Sequence, residues 1–401
     1  MEARQVSSSL ADNQDLVIEV LSRLPIKSLV RFMSVSQEWS ALIKSSRFIA
    51  IHQKHLQRLN PNLCLLYGRS VRHTYTKPHK ISLLGKEDTH LVALDLPERV
   101  QQDSNDKLIH IAGSSHGLVC LHPLYTSKNN PLYTWEEEIV VWNPATRKHR
   151  CLPPPLAFKG EKESTGDRPL LGFVFINDDA AEYKVVRISH SMDHDADGKF
   201  TYLTQVFTRS ENSWREVKSC VPPGDYDFES HSSITSNGVL YCLASTKSVR
   251  YVFSFNLQDE VVHNMPMPPR YSHFPSHEFY GHQLFTWENS AAFLTYDEGQ
   301  YVLWVMKKAS GTQMPTWNWT AQITIKNLIQ IPGVGSRQVE AFPLWGGGGD
   351  LYLFVKRHVK AGQDLVTYDR AKTKPRKLFE LATGSIYRQV VDYMQSLVSV
   401  F

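Results

Sequence analysis

The stretch Asp193-His194-Asp195-Ala196-Asp197-Gly198 comes nearest to metal chemistry, because carboxylates at positions one, three and five with glycine at six open a calcium loop. The match stops there. The twelfth position is Thr204, where a bidentate glutamate is required, and the flanks read as strands, so an acidic hairpin loop is expected. His277 to His282 reads H-E-x-x-x-H, one residue too long for the H-E-x-x-H zinc motif. His273 and His277 stand four apart, but Pro275 between them works against the helix that would align them. Gly346 to Gly349 lacks the Lys-Ser/Thr of a phosphate loop, and Gly333-Val334-Gly335 is similarly incomplete, so both read as turns. Cys64, Cys120, Cys151, Cys220 and Cys242 are odd in number and never spaced C-x-x-C, which argues against a disulfide framework or a zinc site. The expectation is a chain without catalytic residues, cofactor or metal.

The remaining candidates concern binding. Lys356, Arg357, Lys360, Arg370, Lys372, Lys374, Arg376 and Lys377 cluster in sequence, and a solvated hairpin edge accounts for them as well as an acidic partner does. The whole chain holds 44 basic and 40 acidic residues, a net charge of +4, too balanced to argue for nucleic acid or an anionic membrane. No run approaches 18 apolar residues, so no membrane-spanning helix is expected, and the first residues lack the pattern of a secretory signal. Trp317 and Trp319 in PTWNWT face the same way if that segment is a strand, which makes them candidates for contacting a target protein. Packing between sheets is the competing reading.

Residues 15–59 carry helical stripes. Leu16, Val17, Val20, Leu21 and Leu24 recur at i, i+1, i+4, i+5 and i+8, the apolar face of an amphipathic helix. Pro25 ends it, since proline lacks an N–H and pushes its predecessor out of helical geometry. Leu29, Val30 and Met33 start a second short helix, Ser36 is placed to cap a third bearing Trp39, Leu42 and Ile43, and Phe48, Ile51, His55, Leu56 and Leu59 mark a fourth. Four helices in so few residues bury too little apolar surface to be stable alone, so they need a neighbour.

The order L-x-x-x-x-L-x-x-L-P-x-K-x-L-x-R-x-x-x-V-S-x-x-W from Leu16 to Trp39 resembles the F-box of plant F-box proteins. The resemblance implies that Leu16, Val17, Val20, Leu21, Leu24, Pro25, Ile26, Leu29, Val30, Val35 and Trp39 pack partly inward and partly against a Skp-family adaptor, through which cullin and RING subunits of an SCF ubiquitin ligase would be reached. The sequence departs from the family pattern at Asp12-Asn13, where Leu-Pro is usual, and at Ser34, where cysteine is common. The first departure removes an apolar anchor worth about 1.5–3 kcal/mol if buried, so adaptor affinity is expected to be weaker than typical.

Beyond Asn60-Pro61 the pattern changes to short apolar or alternating runs punctuated by Gly, Pro, Asn and Asp, an all-β signature. A strand ending in an aromatic recurs, with Trp142, Phe207, Phe255, Trp304 and Tyr368 as equivalent positions, preceded in most copies by a strand that starts at glycine: GLVCL, GVLYCL and GDLYLFV. A period near 50 residues points to a kelch-like β-propeller of six blades, with seven possible and a β-sandwich as the rival arrangement. The glycine strand is expected nearer the central channel and the aromatic strand farther out. G-S-x-x-G-L-V-C-L from Gly113, V-x-N-P-A-T-R-K around Val141 to Lys148, Y-K-V-V-R-I from Tyr183 and S-W-R-E from Ser213 look like the F-box-associated interaction domain of plant proteins. In physical terms Asn143-Pro144 is a turn, Arg147 and Lys148 are solvated, and Trp142 and Trp214 are packing residues.

The expected architecture is therefore α+β: a disordered tail over 1–11, a helical F-box domain over 12–59 and an all-β propeller over 60–401. The expected role is that of a non-catalytic receptor that holds an unidentified protein for ubiquitination, in the cytoplasm or nucleus, without nucleic acid or membrane partners. A propeller enzyme or ligand-binding protein, and a scaffold outside any ligase, are the alternatives.

Overall fold

The computed structural model describes residues 15–59, 63–70, 80–85, 92–101, 107–126, 135–156, 169–177, 182–194, 200–218, 221, 227–228, 233–246, 249–268, 284–297, 300–308, 317–326, 339–347, 350–357, 362–369, 374–381 and 385–401. The N-terminal tail and the Asp12-Asn13 departure lie outside them. Four helices come first: α1 (15–22), α2 (Ile26–Phe32), α3 (Gln37–Lys44) and α4 (Ser46–Leu59). Pro25 sits at the N-cap of α2 with extended backbone, the break its ring demands. Ser36 caps α3, its hydroxyl accepting from the Trp39 N–H at 3.1 Å. Ile18, Leu21, Ile26, Leu29, Ile43 and Phe48 interlock as the core of this unit. His52 of α4 is buried against Phe48 and donates through Nε2 to the Leu24 carbonyl at 3.0 Å. Burial there holds its pKa below the ordinary histidine value, so the ring stays neutral at the helix break.

The remaining described strands form antiparallel groups built on four strands each, with Trp135–Glu137 and Asp227–Phe228 as fifth strands in two of them. Lys107–Ser115, Leu118–Thr126, Val140–Asn143 and Lys148–Cys151 make one; Leu170–Asn177, Glu182–His194, Phe200–Thr208 and Ser213–Glu216 the next. Ile234–Ser236, Val239–Ser245, Arg250–Asn256 and Val261–Pro266 follow. Leu284–Trp287, Ser290–Asp297, Gln300–Lys308 and Trp317–Lys326 are joined to Val339–Gly347, Asp350–Arg357, Gly362–Asp369 and Lys374–Leu381 by one parallel bridge, Trp287 to Gly346. A further group is built from both ends of the region. Ser385–Tyr393 pairs antiparallel with Leu63–Ser70, which pairs with Lys80–Gly85 and then Val92–Leu94. That pairing closes the array into a ring, removing the free edges an open array would expose.

Each hydrophobic cluster lies between neighbouring groups. Val119, Val140 and Trp142 meet Ile81 and Tyr393; Leu118 and Cys120 meet Phe173, Tyr183 and Phe207; Val186 and Val206 meet Leu240 and Phe253. Strands buried on both faces explain the unbroken apolar runs: all four residues of Val140–Asn143 are buried. The fold is thus a helical unit followed by a sheet-rich, β-propeller-like domain.

After the closing strand, residues 394–401 run between the helical unit and the ring. Leu397 enters the helical core, while Val398 and Val400 enter the core between two four-strand groups. Asn143 donates through Nδ2 to the carbonyls of Ser396 at 3.0 Å and Val398 at 2.8 Å, and the Tyr183 hydroxyl donates to the Val400 carbonyl at 3.1 Å. Gln53 of α4 reaches the Ser396 hydroxyl at 3.2 Å. The segment lies so close to Gly117 that a Cβ there would meet the Ser396 Cβ at 2.2 Å.

Candidate functional site

The helical unit sorts the residues that resemble an adaptor-docking set into two classes. Leu21, Ile26 and Leu29 are buried and build the interior; Val17, Leu24, Val30 and Trp39 pack against it while half-buried. Trp39 meets Phe32 edge to face at 5.4 Å. Leu16, Val20 and Val35 remain 62%, 61% and 64% exposed, and Pro25 is exposed beside them in sequence. Leu16 and Val20 are one turn apart, so they share a face of α1. Val35 lies in the turn between α2 and α3. An amphipathic unit that buries one side on its own ring and leaves large aliphatic groups uncovered on another has the chemistry of a docking surface.

Opposite in character is the channel enclosed by the ring. It holds about 390 Å³ and is lined by the first strands of the four-strand groups, including Ile111–Ser115, Phe173–Ile176, Ile234–Ser236 and Leu284–Thr286. Asp392 of the closing strand lines it too, and burial pushes its carboxyl up to about 7. Its Oδ1 has no hydrogen-bond partner among the described residues. Sequence reasoning missed Asp392, which sits as a single acid in the run QVVDYM.

The other sequence candidates fare differently. Trp319 is half-buried, donates through Nε1 to the Pro266 carbonyl at 2.7 Å and packs against Phe293, bridging neighbouring four-strand groups. Trp317 lies on the same strand, Trp317–Lys326, with its side chain outside the described residues. Asp195, Asp197 and Gly198 of the calcium-like stretch, and His273, His277 and His282, also fall outside them. Among the described residues no three His, Cys, Asp or Glu side chains gather as metal ligands would. Cys120 is fully buried, its thiol pushed well above the ordinary range by loss of solvent. The turn motif gave most: Asn143 accepts through Oδ1 from the Ala145 and Thr146 N–H groups, as its turn reading predicts, while its Nδ2 holds residues 396 and 398.

A helical unit with an uncovered aliphatic face, mounted on a closed ring of sheets, is the architecture of this chain. The model of the F-box domain matches residues 13–50, and that of the F-box associated beta propeller domain matches residues 73–332. The chain belongs to the F-box proteins that carry an F-box-associated β-propeller. A putative F-box protein of Arabidopsis thaliana is 24% identical over 64% of this chain and 62% of its own length. A second Arabidopsis F-box protein is 29% identical over 61% of this chain and 58% of its own, so the match to both spans less than two thirds of the relative. A third, also a putative F-box protein of Arabidopsis, is 24% identical over 94% of this chain and 88% of its own. Among solved structures, TolB from Acinetobacter baumannii is similar with a TM-score of 0.46 at 9% identity, over 87% of this chain and 72% of that one.

Proposed function

We propose that this protein is the substrate-receptor subunit of a Skp-cullin-F-box ubiquitin ligase, docking a Skp-family adaptor through its helices and presenting a target protein on its ring. The observation that carries this is the exposure of Leu16, Val20 and Val35 on a unit of F-box family. Each uncovered aliphatic side chain gains about 1.5–3 kcal/mol if a partner buries it fully, enough together for specific association. The ligase chemistry resides in the cullin-linked subunits; this chain contributes proximity, raising the target's effective concentration near a charged ubiquitin-conjugating enzyme. The compartment that fits is cytoplasm or nucleus, where Cys120, Cys151 and Cys242 stay free thiols.

Leu16→Asp with Val20→Asp places two charges on the exposed face of α1 without touching the buried set Leu21, Ile26 and Leu29. The double variant is expected to lose adaptor co-purification by at least about a hundredfold in affinity while its unfolding midpoint is unchanged. Retained adaptor binding would sink the receptor reading. Reconstitution with adaptor, cullin, RING subunit and conjugating enzyme then separates a ligase receptor, which yields ubiquitinated target, from a scaffold, which yields none.

A further inference from the structure

The channel inside the ring contains a carboxyl group with an oxygen that no described residue hydrogen-bonds. Asp392 is half-buried, its Oδ1 is shielded from solvent without a hydrogen-bond partner among the described residues, and it lines a cavity of about 390 Å³. That volume lies within the range of pockets that enclose small ligands. A buried carboxylate without a partner is costly to keep, and folded proteins ordinarily pair it.

Three polar residues of the same lining are engaged with other groups. Gln389, on the same strand, accepts from the Ile111 N–H at 2.8 Å and donates to the Ile111 carbonyl. Thr235 donates to the Ala112 carbonyl at 3.2 Å. His116, the other ionisable group among the described residues of the lining, stacks on Phe175 at 4.5 Å with its Nδ1 against the Ser115 hydroxyl. No Lys or Arg is found among those lining residues. A single negative group in a low-dielectric channel, surrounded by hydroxyls, amides and apolar walls, concentrates its field on whatever enters. One carboxylate without further acidic or imidazole ligands does not make a divalent metal site, and no three-ligand cluster exists among the described residues. An organic cation fits the charge and the room.

We propose that the channel is a binding site for a protonated amine or guanidinium group, held by the Asp392 carboxylate. The cation is either a small free ligand or a basic side chain inserted from a bound protein. The site does not depend on adaptor docking, so it stands or falls separately from the ligase reading.

Calorimetric titration of the full-length chain at about pH 8 with agmatine, butylamine and N-acetyl-arginine amide tests it, with the neutral N-acetyl-citrulline amide as control. Saturable binding of at least one cationic probe, with the neutral one silent, is expected, and Asp392→Asn weakens it by about tenfold or more. Binding of the blocked arginine as well as agmatine identifies a channel that admits a peptide-borne side chain; binding of agmatine or butylamine alone identifies a free small ligand. Lowering the pH through about 7 neutralises the wild-type carboxyl and weakens binding without any substitution. The variant carries its own readout of folding. The raised carboxyl pKa means wild-type stability is lost as the pH rises from the ordinary carboxylate range through about 7, so Asp392→Asn melts at a higher temperature than wild type at pH 8 and the gain fades in acid. No saturable binding of any cationic probe up to about 10 mM, or binding that Asp392→Asn leaves unchanged, overturns the proposal.

Discussion

Asn143 shows how much one amide can organise. Its oxygen closes the turn at Ala145 and Thr146, and its nitrogen donates to two carbonyls of the C-terminal segment, with the whole residue inaccessible to solvent. Asn143→Ala strips the turn N–H groups of their acceptor and leaves two buried carbonyls without a donor, a loss expected at about 2–4 kcal/mol in denaturant titration. Asn143→Asp separates the two tasks: it can still accept from the turn but sets a negative charge against both carbonyls, so its destabilisation is expected to exceed that of alanine at neutral pH. A result in which aspartate matches wild type would mean the clamp contributes nothing. The turn half of this role is legible in Asn-Pro, whose chemistry is local. The clamp is not, because its partners stand more than 250 positions away. Asp392 was illegible for the same reason, since a lone acid in a strand declares its burial only when the ring closes around it.

At the scale of elements, the repeat in the sequence carried real geometry. Trp142, Phe207, Phe255, Trp304 and Tyr368 all fall in the third strand of their groups, and the glycine-led runs GLVCL, GVLYCL and GDLYLFV form the second. What periodicity concealed was the first strand, which lines the channel and lies inside the glycine strand: Ile234–Ser236 is three residues long, two of them polar, too short for any pattern to mark. The glycines themselves differ. Gly117 and Gly238 both open second strands with positive φ, +79° and +76°. An added Cβ at Gly238 meets only the Val174 Cγ2 at 3.7 Å, whereas at Gly117 it collides with Ser396 and the Met394 carbonyl. Gly238→Ala is therefore expected to cost the conformational penalty alone, about 1–2 kcal/mol, and Gly117→Ala distinctly more. Equal losses in parallel chemical denaturations would show that residues 394–396 are not seated where they stand here.

For the molecule as a whole, the helical unit and the ring are joined by residues 394–401, which contact both. The four helices were expected to need a neighbour, and the structure supplies it from the far end of the chain through Leu397 and from the ring through Ala145. Removing residues 394–401 should therefore loosen the helices first. The expected result is rapid proteolytic cleavage within residues 15–59 of the truncated chain, with the sheet region degraded more slowly, read by mass spectrometry of the fragments. Helices as resistant as in the intact chain would assign their support to contacts other than the strap.

Leu397 packs with Ile18, Leu21 and Phe48, and Leu63 stands opposite Tyr393 in the closing strand pair. The helices emerge from the ribosome before everything else in residues 15–401, yet their interior is completed only once Leu397 has been synthesised, and contacts spanning such separations form slowly. Until then those aliphatic groups are candidates for chaperones. Maturation of the helical unit is in this way tied to successful translation of the ring, so a stalled or misfolded product carries helices with an unfinished interior.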